Sequence, residues 1–368
     1  MKRLTFVMIF LVLVFGGTGL VFADEDMGVF VNLNTNSIQF IDPVTNTATE
    51  PLLVDELRRT GSGLLDVVIT HDGKTAIVSN FGGARVFFID ISAGFNAPPT
   101  LLGSARTALL AEDMVITPDD KYVLVTDGAF SSNIAVVDIP NRQFIHNNNL
   151  GWRDAQAIDI TPDGETVVVV DYFGGWIHAY TLRSDGILLH KKSISVLPFW
   201  PINITISPDG RTAIATDAFS SHCLVFFFDS AGELYYTGVT SLPAQSGQSC
   251  VFSKDGSKAY YLSNSQSKGT MVHILNVTGV GQVSASGTSI QIWPRRGTGQ
   301  FFGVDTMALD PSENYLYVTN PTSSAPINDV ALLDLTTNTQ VGYIPGLNFP
   351  VGIAFTTIMS ENGNDHEQ

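Results

Sequence analysis

Acidic and amide side chains stand at the start of several short apolar runs in this sequence. The set consists of Asp66, Glu112, Asp113, Gln156, Asn203, Gln248 and Asp305. Clustered carboxylates supply the oxygen ligands that Ca²⁺ takes, and a pair of them can act as acid and base. The same groups can also solvate a water-filled channel and accept backbone hydrogen bonds, which is the interpretation we favour. We therefore assign no catalytic residue and keep a calcium site as the alternative.

Motifs for other chemistries are missing from the sequence. It contains no Gly-x-Ser-x-Gly, no phosphate-binding loop and no dinucleotide fingerprint. No Cys-x-x-Cys-His occurs, so the chain attaches no c-type haem and we predict no cofactor in it. His178 and His222 are expected to approach one face in adjacent repeats, which is weak evidence for a metal site.

A repeated segment must position these side chains. It reads DVVITHDGKTAIVSN at 66–80 and recurs at 113–127, 157–171 and 203–217, then more loosely at 249–264 and 306–320. Intervals between equivalent turn residues are 47, 44, 46, 46 and 57, measured from Asp72 through Ser312. A period near 45 with several short β-branched runs is typical of the four-stranded blade of a β-propeller.

The fold class predicted is therefore all-β, a seven-bladed β-propeller of four-stranded antiparallel blades with essentially no helix. Six blades are whole copies, and the seventh joins a first strand near 349–355 to three strands within 27–53, which closes the ring. We assign 1–23 to a signal peptide, 24–359 to the propeller and 360–368 to a disordered acidic tail.

Tryptophan and arginine concentrate in the loops of one predicted face, here called the top. All four tryptophans and seven of the eleven arginines fall in the loops that join fourth to first strands and second to third strands. These residue types are enriched at binding hot spots, although tryptophans can also pack under loops. The predicted partner-binding residues are Trp152, Arg153, Trp176, Trp200, Trp293, Arg295, Arg296, Phe301 and Phe302.

Two further features of the top loops are informative. The long interval of 57 residues marks an elaborated loop at 292–305, and unusually long loops are often functional. A Phe-small-small motif begins at Phe81, Phe130, Phe173 and Phe219, and we interpret it as a device for loop packing.

The letters YVTN occur at 317–320, and the surrounding pattern of Pro-Asp-Gly, strand, Thr-Asn and strand resembles the YVTN family of seven-bladed β-propellers. The resemblance covers nearly all of the chain after residue 23. It implies relatives among surface-layer proteins, propeller subunits of exported redox complexes and, more distantly, propeller lactonases. The lactonase motifs of the His-Pro, Asn-Glu and Pro-Arg-His type are missing, and 293–296 (WPRR) is the nearest match to the last.

Composition narrows the location and the class of partner. A basic start, an apolar run and a Val-Phe-Ala site before Asp24 predict export to the periplasm or cell surface, with no membrane span after cleavage; an uncleaved N-terminal anchor is the alternative. A net charge of −16 disfavours nucleic acid. Cys223 and Cys250 either form a disulfide or stay as two buried thiols.

Three functions remain open from the sequence. The leading one is a non-catalytic exported module that binds a protein partner through its top face. The second is a lactonase-like hydrolase or lyase, with Asp66, Asp113 and Asp305 binding a metal or acting as bases, and Arg153 or Arg296 holding an anionic substrate. The third is a cell-surface structural protein.

Overall fold

The computed structural model describes a defined part of the chain. The described residues are 24–52, 63–107, 110–128, 131–151, 154–220, 222–243, 246–265, 269–292, 306–319, 329–345, 347 and 349–359. The predicted signal peptide (1–23), the predicted tail (360–368) and the elaborated loop from 293 to 305 lie outside the described residues, so those assignments stay predictions.

Within these ranges the strands form seven four-stranded antiparallel sheets arranged as the blades of a ring. The first three strands are β1 (Glu25–Asn32), β2 (Ser37–Asp42) and β3 (Thr47–Ala48). Blade 1 contains β4 (Leu64–Ile69), β5 (Thr75–Asn80), β6 (Arg85–Asp90) and β7 (Thr100–Arg106). Blade 2 contains β8 (Ala111–Ile116), β9 (Tyr122–Asp127), β10 (Asn133–Asp138) and β11 (Gln143–Asn149). Blade 3 contains β12 (Ala155–Ile160), β13 (Thr166–Asp171), β14 (Trp176–Leu182) and β15 (Leu188–Ser195).

The remaining strands complete the ring. Blade 4 contains β16 (Pro201–Ile206), β17 (Thr212–Asp217), β18 (His222–Phe228) and β19 (Leu234–Ser241). Blade 5 contains β20 (Ser246–Phe252), β21 (Lys258–Ser265), β22 (Gly269–Gly279) and β23 (Gln282–Gln291). Blade 6 contains β24 (Met307–Leu309), β25 (Tyr315–Thr319), β26 (Val330–Asp334) and β27 (Thr339–Ile344). The last strand is β28 (Pro350–Ile358), and the described helical content is one 3₁₀ turn at Gly94–Asn96.

The core is divided among the interfaces between neighbouring blades. Strand β13 shows why, because its run Val167 to Val170 is β-branched and fully buried, and successive side chains point to opposite faces of the sheet. Val168 and Val170 pack toward blade 4, whereas Val167 and Val169 pack toward blade 2. Fully burying one such side chain contributes about 1.5–3 kcal/mol. Each blade is therefore stabilised mainly by its two neighbours.

The seventh blade is split as predicted, in the order β28, β1, β2, β3. Strand β1 pairs antiparallel with β28, with Gly28 opposite Phe355. Gly352 lets β28 approach blade 1 closely, because an added Cβ there would lie 2.7 Å from Asp66 Cα. Strands from both ends of the propeller thus close the ring, which leaves no open edge blade.

The turns between first and second strands repeat one hydrogen-bond arrangement on the face opposite the top, here called the bottom. In blade 1, Thr70 Oγ1 donates to Asp72 Oδ1 at 2.6 Å, and the same oxygen accepts from Lys74 N at 3.0 Å. Ser253 and Asp255 form the same bond in blade 5 at 2.7 Å. This bond, and then those from Ser257, lower the pKa of Asp255 to about 2. The turn motif therefore has a structural role.

Neighbouring bottom turns interlock in two ways. An added Cβ at Gly164 would lie 3.2 Å from Pro118 Cδ of the preceding blade, so proline and glycine pack together there. Where blade 1 has His71 instead of proline, blade 2 has Asp120 instead of glycine. His71 N then donates to the Asp120 carboxylate at 3.0 Å, and Lys254 N likewise donates to Glu313. Where the proline of one turn is replaced, the glycine of the next turn is therefore replaced as well, by an acidic residue that accepts a hydrogen bond.

Candidate functional site

The top face is formed by the two sets of loops that the sequence assigned to it. Trp200 precedes β16 and Phe219 follows β17, and their rings meet edge to face at 5.9 Å between centroids. Tyr172, in the loop after β13, lies 6.4 Å from the same Phe219 ring. Loops of both kinds, from two blades, therefore share one surface.

The first strands surround a central channel whose described part encloses a cavity of about 300 Å³. Asp113 lines this cavity together with Val68, Val115, Asp159 and Ala354. Three of these five side chains are apolar, and the two carboxylates, Asp113 and Asp159, accept backbone hydrogen bonds from the next blade.

The channel carboxylates bond the next blade. Met114 N donates to Asp66 Oδ2 at 3.1 Å, and Ile158 N donates to Asp113 Oδ2 at 2.8 Å. Each bond joins the first strand of one blade to the first strand of the next, and both carboxylates are buried. The predicted backbone hydrogen bonds are thus confirmed for Asp66 and Asp113.

Sequence reasoning missed a third member of this series, Asp159. Ile206 N of blade 4 donates to Asp159 Oδ2 at 2.7 Å, so this carboxylate links blade 3 to blade 4. Asp159 stands two residues beyond Ala157, which occupies the position equivalent to Asp113. Because side chains two apart in a strand share a face, the alternation of β12 was the signal that could have identified it.

The other predicted channel-mouth residues are also buried. Gln156 Nε2 donates to Glu112 Oε1 between blades 2 and 3, and Gln248 Nε2 donates to Gly247 O at 3.0 Å. Asn203 is buried at the start of blade 4. Asp305 lies outside the described residues. The structure therefore brings Glu112 and Gln156 together as one pair and spreads the others around the ring.

Among the described residues, no three His, Cys, Asp or Glu side chains are grouped so as to hold a metal ion. His178 Nδ1 lies 2.7 Å from Ser193 Oγ, and His222 Nδ1 lies 2.8 Å from Ser220 Oγ. Each histidine therefore has a serine partner in its own blade. The calcium site includes Asp305 and stays a prediction.

Exposed aromatic side chains gather on top of blades 3 and 4. The aromatic patch, as we call it, consists of Phe173 (44% exposed), Trp176 (37%), Leu197 (59%), Trp200 (38%) and Phe219 (57%). Tyr172 joins its two halves, with its ring 4.9 Å from Phe173 and 6.4 Å from Phe219. The patch is a continuous surface formed by loops of two blades.

Gly175 fixes the start of β14 under the patch. It has a positive φ of +65°, which favours glycine, and an added Cβ there would lie 2.5 Å from Leu197 Cδ2. Val196 N donates to Gly175 O at 2.9 Å, which continues the pairing of β14 with β15 in blade 3. Trp176 follows Gly175 and its ring stacks on His178, whereas Trp200 lies in the loop that enters blade 4 and contacts Phe219.

Buried carboxylates lie directly under this patch. Asp217 Oδ1 accepts from Trp200 N at 3.0 Å and from Phe219 N at 3.3 Å. Asp171 Oδ1 accepts from Gly174 N at 2.9 Å. Burial, and then the charges of Asp154 and Asp217, raise the pKa of Tyr172. The loops that carry the aromatic rings are thus held by negatively charged groups.

The Phe-small-small motif stands in two environments. Phe81 packs against the buried cluster of Leu65, Phe349 and Val351. Phe173 and Phe219 also pack within the top loops, on the rings of Tyr172 and Trp200, but their own side chains stay exposed. Phe130 lies outside the described residues.

Seven of the nine predicted partner-binding residues lie outside the described residues, namely Trp152, Arg153, Trp293, Arg295, Arg296, Phe301 and Phe302. Trp176 and Trp200 are the predicted members that the structure describes, and their exposure agrees with a surface role.

The two cysteines are free thiols in one buried cluster between blades 4 and 5. Burial raises the pKa of the Cys223 thiol. Of the two alternatives that the sequence left open, the structure has the separate thiols. Among the described residues, no helix is long and apolar enough to cross a membrane.

No protein-family model matches the sequence, and no curated protein matches it. Solved structures do match. A functionally unknown protein from Desulfotomaculum acetoxidans is 21% identical, with a TM-score of 0.78 over 89% of this chain and 98% of its own. The periplasmic gluconolactonase of Pseudomonas aeruginosa is 15% identical, with a TM-score of 0.72 over 91% and 100%. Hydrazine synthase of Kuenenia stuttgartiensis is 20% identical, with a TM-score of 0.62 over 81% and 96%. The chain is a seven-bladed β-propeller, and its fold resembles that of lactonase propellers.

Proposed function

We propose that this chain is a non-catalytic binding module that docks a protein partner through its top face, as a subunit of a larger exported assembly. The observation that carries the proposal is the aromatic patch. Seven aromatic side chains are exposed among the described residues, and four of them, Phe173, Trp176, Trp200 and Phe219, belong to the patch.

The patch differs from the other exposed apolar residues of the propeller. Phe144, Tyr235 and Tyr343 stand on the outer strands β11, β19 and β27 of three different blades. Single exposed residues of that kind are normal on a soluble surface, whereas a contiguous apolar patch marks an interaction site. Tryptophan is also the residue type most often found at the centre of binding interfaces.

The channel gives less support to catalysis. Asp66 and Asp113, two of the three carboxylates that a hydrolase would need there, each accept a backbone hydrogen bond from the next blade. A general base must be free to take a proton from substrate or water, and these carboxylates are already used in joining blades. Their structural role therefore favours binding over hydrolysis.

Similarity to solved structures supports an assembly role at the level of analogy. The Kuenenia stuttgartiensis protein of similar fold is a hydrazine synthase, and propellers take their function from the sites added to them. Export rests on the predicted signal peptide and agrees with the periplasmic location of the Pseudomonas aeruginosa relative. A purely structural surface protein would need no such patch.

A pull-down from native extract tests the docking proposal. The double variant Trp176→Ala/Trp200→Ala should lose a partner that the unchanged chain retains, because two central aromatic anchors are removed. Tyr343→Ala is the matched control, since Tyr343 is an exposed aromatic residue on the outside of blade 6. The partner is then purified and its affinity measured with each variant. Equal affinity for the double variant and the unchanged chain would contradict the proposal.

A lactonase function is the second candidate, favoured by the Glu112–Gln156 pair at the channel mouth and by the fold of the Pseudomonas aeruginosa enzyme. Glu112 would act there as acid or base. If this function is correct, the purified chain hydrolyses members of a lactone panel, and Glu112→Gln removes that activity while the melting temperature stays close to that of the unchanged chain. Inertness toward the panel, together with no bound divalent ion, would exclude it.

A further inference from the structure

We propose that the aromatic patch binds a cationic segment, rich in arginine or lysine, of the partner protein. The inference rests on the proposed docking function and deepens it by naming the chemistry of the partner. It combines two independent features of the same surface, which are exposed aromatic rings and the carboxylates directly beneath them.

The rings provide the first feature. A cation is attracted to the face of an aromatic ring, most strongly to tryptophan, and the attraction grows when water is excluded. Trp200 meets Phe219 edge to face, and Tyr172 lies against both Phe219 and Phe173, so these four rings form one surface that a bound segment can follow. Trp176 adds a second exposed indole at the start of β14.

The carboxylates provide the second feature. Asp217 bonds the backbone of Trp200 and Phe219, and Asp171 bonds the backbone of Gly174, two residues before Trp176. These charges are buried and therefore little screened by salt, so their field extends into the patch. Burial, and then the charges of Asp154 and Asp217, raise the pKa of Tyr172 at the centre of the patch.

The chain already uses the same interaction elsewhere. Lys192 Nζ lies 3.6 Å from the centroid of the Tyr235 ring, and Lys121 Nζ lies 4.6 Å from that of Tyr122. With a net charge of −16, the chain as a whole also attracts cationic partners over distance and repels anionic ones. A neutral apolar segment would gain from the rings but nothing from the charges.

Fluorescence anisotropy with synthetic peptides tests the inference. The probes are an alternating Gly-Arg peptide and its isostere, in which citrulline replaces each arginine and removes only the charge. The Gly-Arg peptide should bind the unchanged chain at least about five-fold more tightly at low salt, since one cation–π contact contributes about 1 kcal/mol. Equal binding of both peptides would overturn the inference.

Variants locate the site and separate this inference from the docking proposal. Trp176→Leu/Trp200→Leu keeps the patch apolar but removes the indole faces, so it should lose the preference for arginine over citrulline, whereas Tyr343→Leu should keep it. If the preference persists in the tryptophan variant, the cations bind elsewhere and the inference fails. Loss of partner docking in Trp176→Ala/Trp200→Ala without any arginine preference would leave the docking function intact and reject the cationic partner.

Discussion

The top and the bottom of this propeller are built from the same repeat, but the bottom turns share one structure and the top loops do not. The bottom turns keep one arrangement of a hydroxyl, a carboxylate and a backbone N–H, as at Thr70 and Asp72 or Ser253 and Asp255. The top loops vary, and in blades 3 and 4 they expose aromatic rings over buried carboxylates. The regular side, together with the channel wall, stabilises the ring. The variable side is where we propose that a partner binds.

The largest loss of stability is expected at Gly352, on the structural side of this comparison, where blade 7 meets blade 1. Gly352→Ala places a Cβ 2.7 Å from Asp66 Cα, so the two inner strands must move apart. Overpacking of this kind costs up to about 3 kcal/mol. We expect a clearly lower melting temperature. Gly342→Ala is the control, because an added Cβ at Gly342 meets no atom within 4 Å. Equal melting temperatures would show that closure tolerates the extra methyl.

A smaller loss is expected at Asp113. Asp113→Ala leaves Ile158 N without its acceptor, and an unsatisfied buried N–H costs about 1–3 kcal/mol. The midpoint of urea unfolding should fall accordingly. Asp113→Asn keeps an oxygen acceptor and should recover most of the loss. If both variants unfold at the same urea concentration, the blade-to-blade bond is not what Asp113 contributes. Partner docking should be unaffected as long as the protein is folded.

These two sites also show what the sequence could and could not predict. The seven blades, the split closure and the bottom turns follow from local patterns, because strand alternation and turn residues act over a few positions. The bond from Ile158 to Asp113 joins residues about one repeat apart and depends on how two blades lie side by side. That geometry is set by the whole ring, so the sequence identified Asp113 but not its partner, and it missed Asp159.

The top face follows the same reasoning. The sequence placed Trp176 and Trp200 in top loops, yet the ring contacts that join the patch, from Trp200 and Tyr172 to Phe219, are tertiary contacts. It also assigned Phe173 and Phe219 to packing, because a repeated motif usually has one role. Phe81 packs against a buried cluster, whereas Phe173 and Phe219 pack on neighbouring loop rings and stay exposed. Repetition in sequence did not guarantee the same environment.

The contact between the bottom turns of blades 1 and 2 should have an effect of intermediate size on the free energy of unfolding. His71→Pro and Asp120→Gly each break the bond between His71 N and Asp120, whereas the double variant recreates the proline–glycine pair found at Pro118 and Gly164. The glycine also relieves the positive φ of +53° at Asp120. We expect the double variant to be more stable than the sum of the single changes by about 1 kcal/mol. Strict additivity in urea unfolding would mean that the two turns do not interact.

The smallest effect is the loss of stability at low pH that comes from Asp255. The folded-state pKa of Asp255 is about 2, which lies below its ordinary value because Ser253, and then Ser257, donate to the carboxylate. A depressed carboxylate stabilises the fold above its unfolded pKa, and that contribution is lost as pH falls toward 2. Ser253→Ala should raise the pKa of Asp255 in an NMR titration. An unchanged pKa would assign the shift to Ser257 alone.

The split seventh blade has a consequence for how the molecule reaches its native state. Gly28 pairs with Phe355, so the chain must bring together segments separated by almost its whole length. Loop-closure entropy grows only with the logarithm of length, so this step costs about 2 kcal/mol more than closing a single repeat. The inner strand of this blade, β28, is also the last strand of the propeller along the chain. The other six blades can assemble before it is made, but the ring becomes continuous only when β28 pairs with β1, and until then the free edge of β1 can pair with other chains.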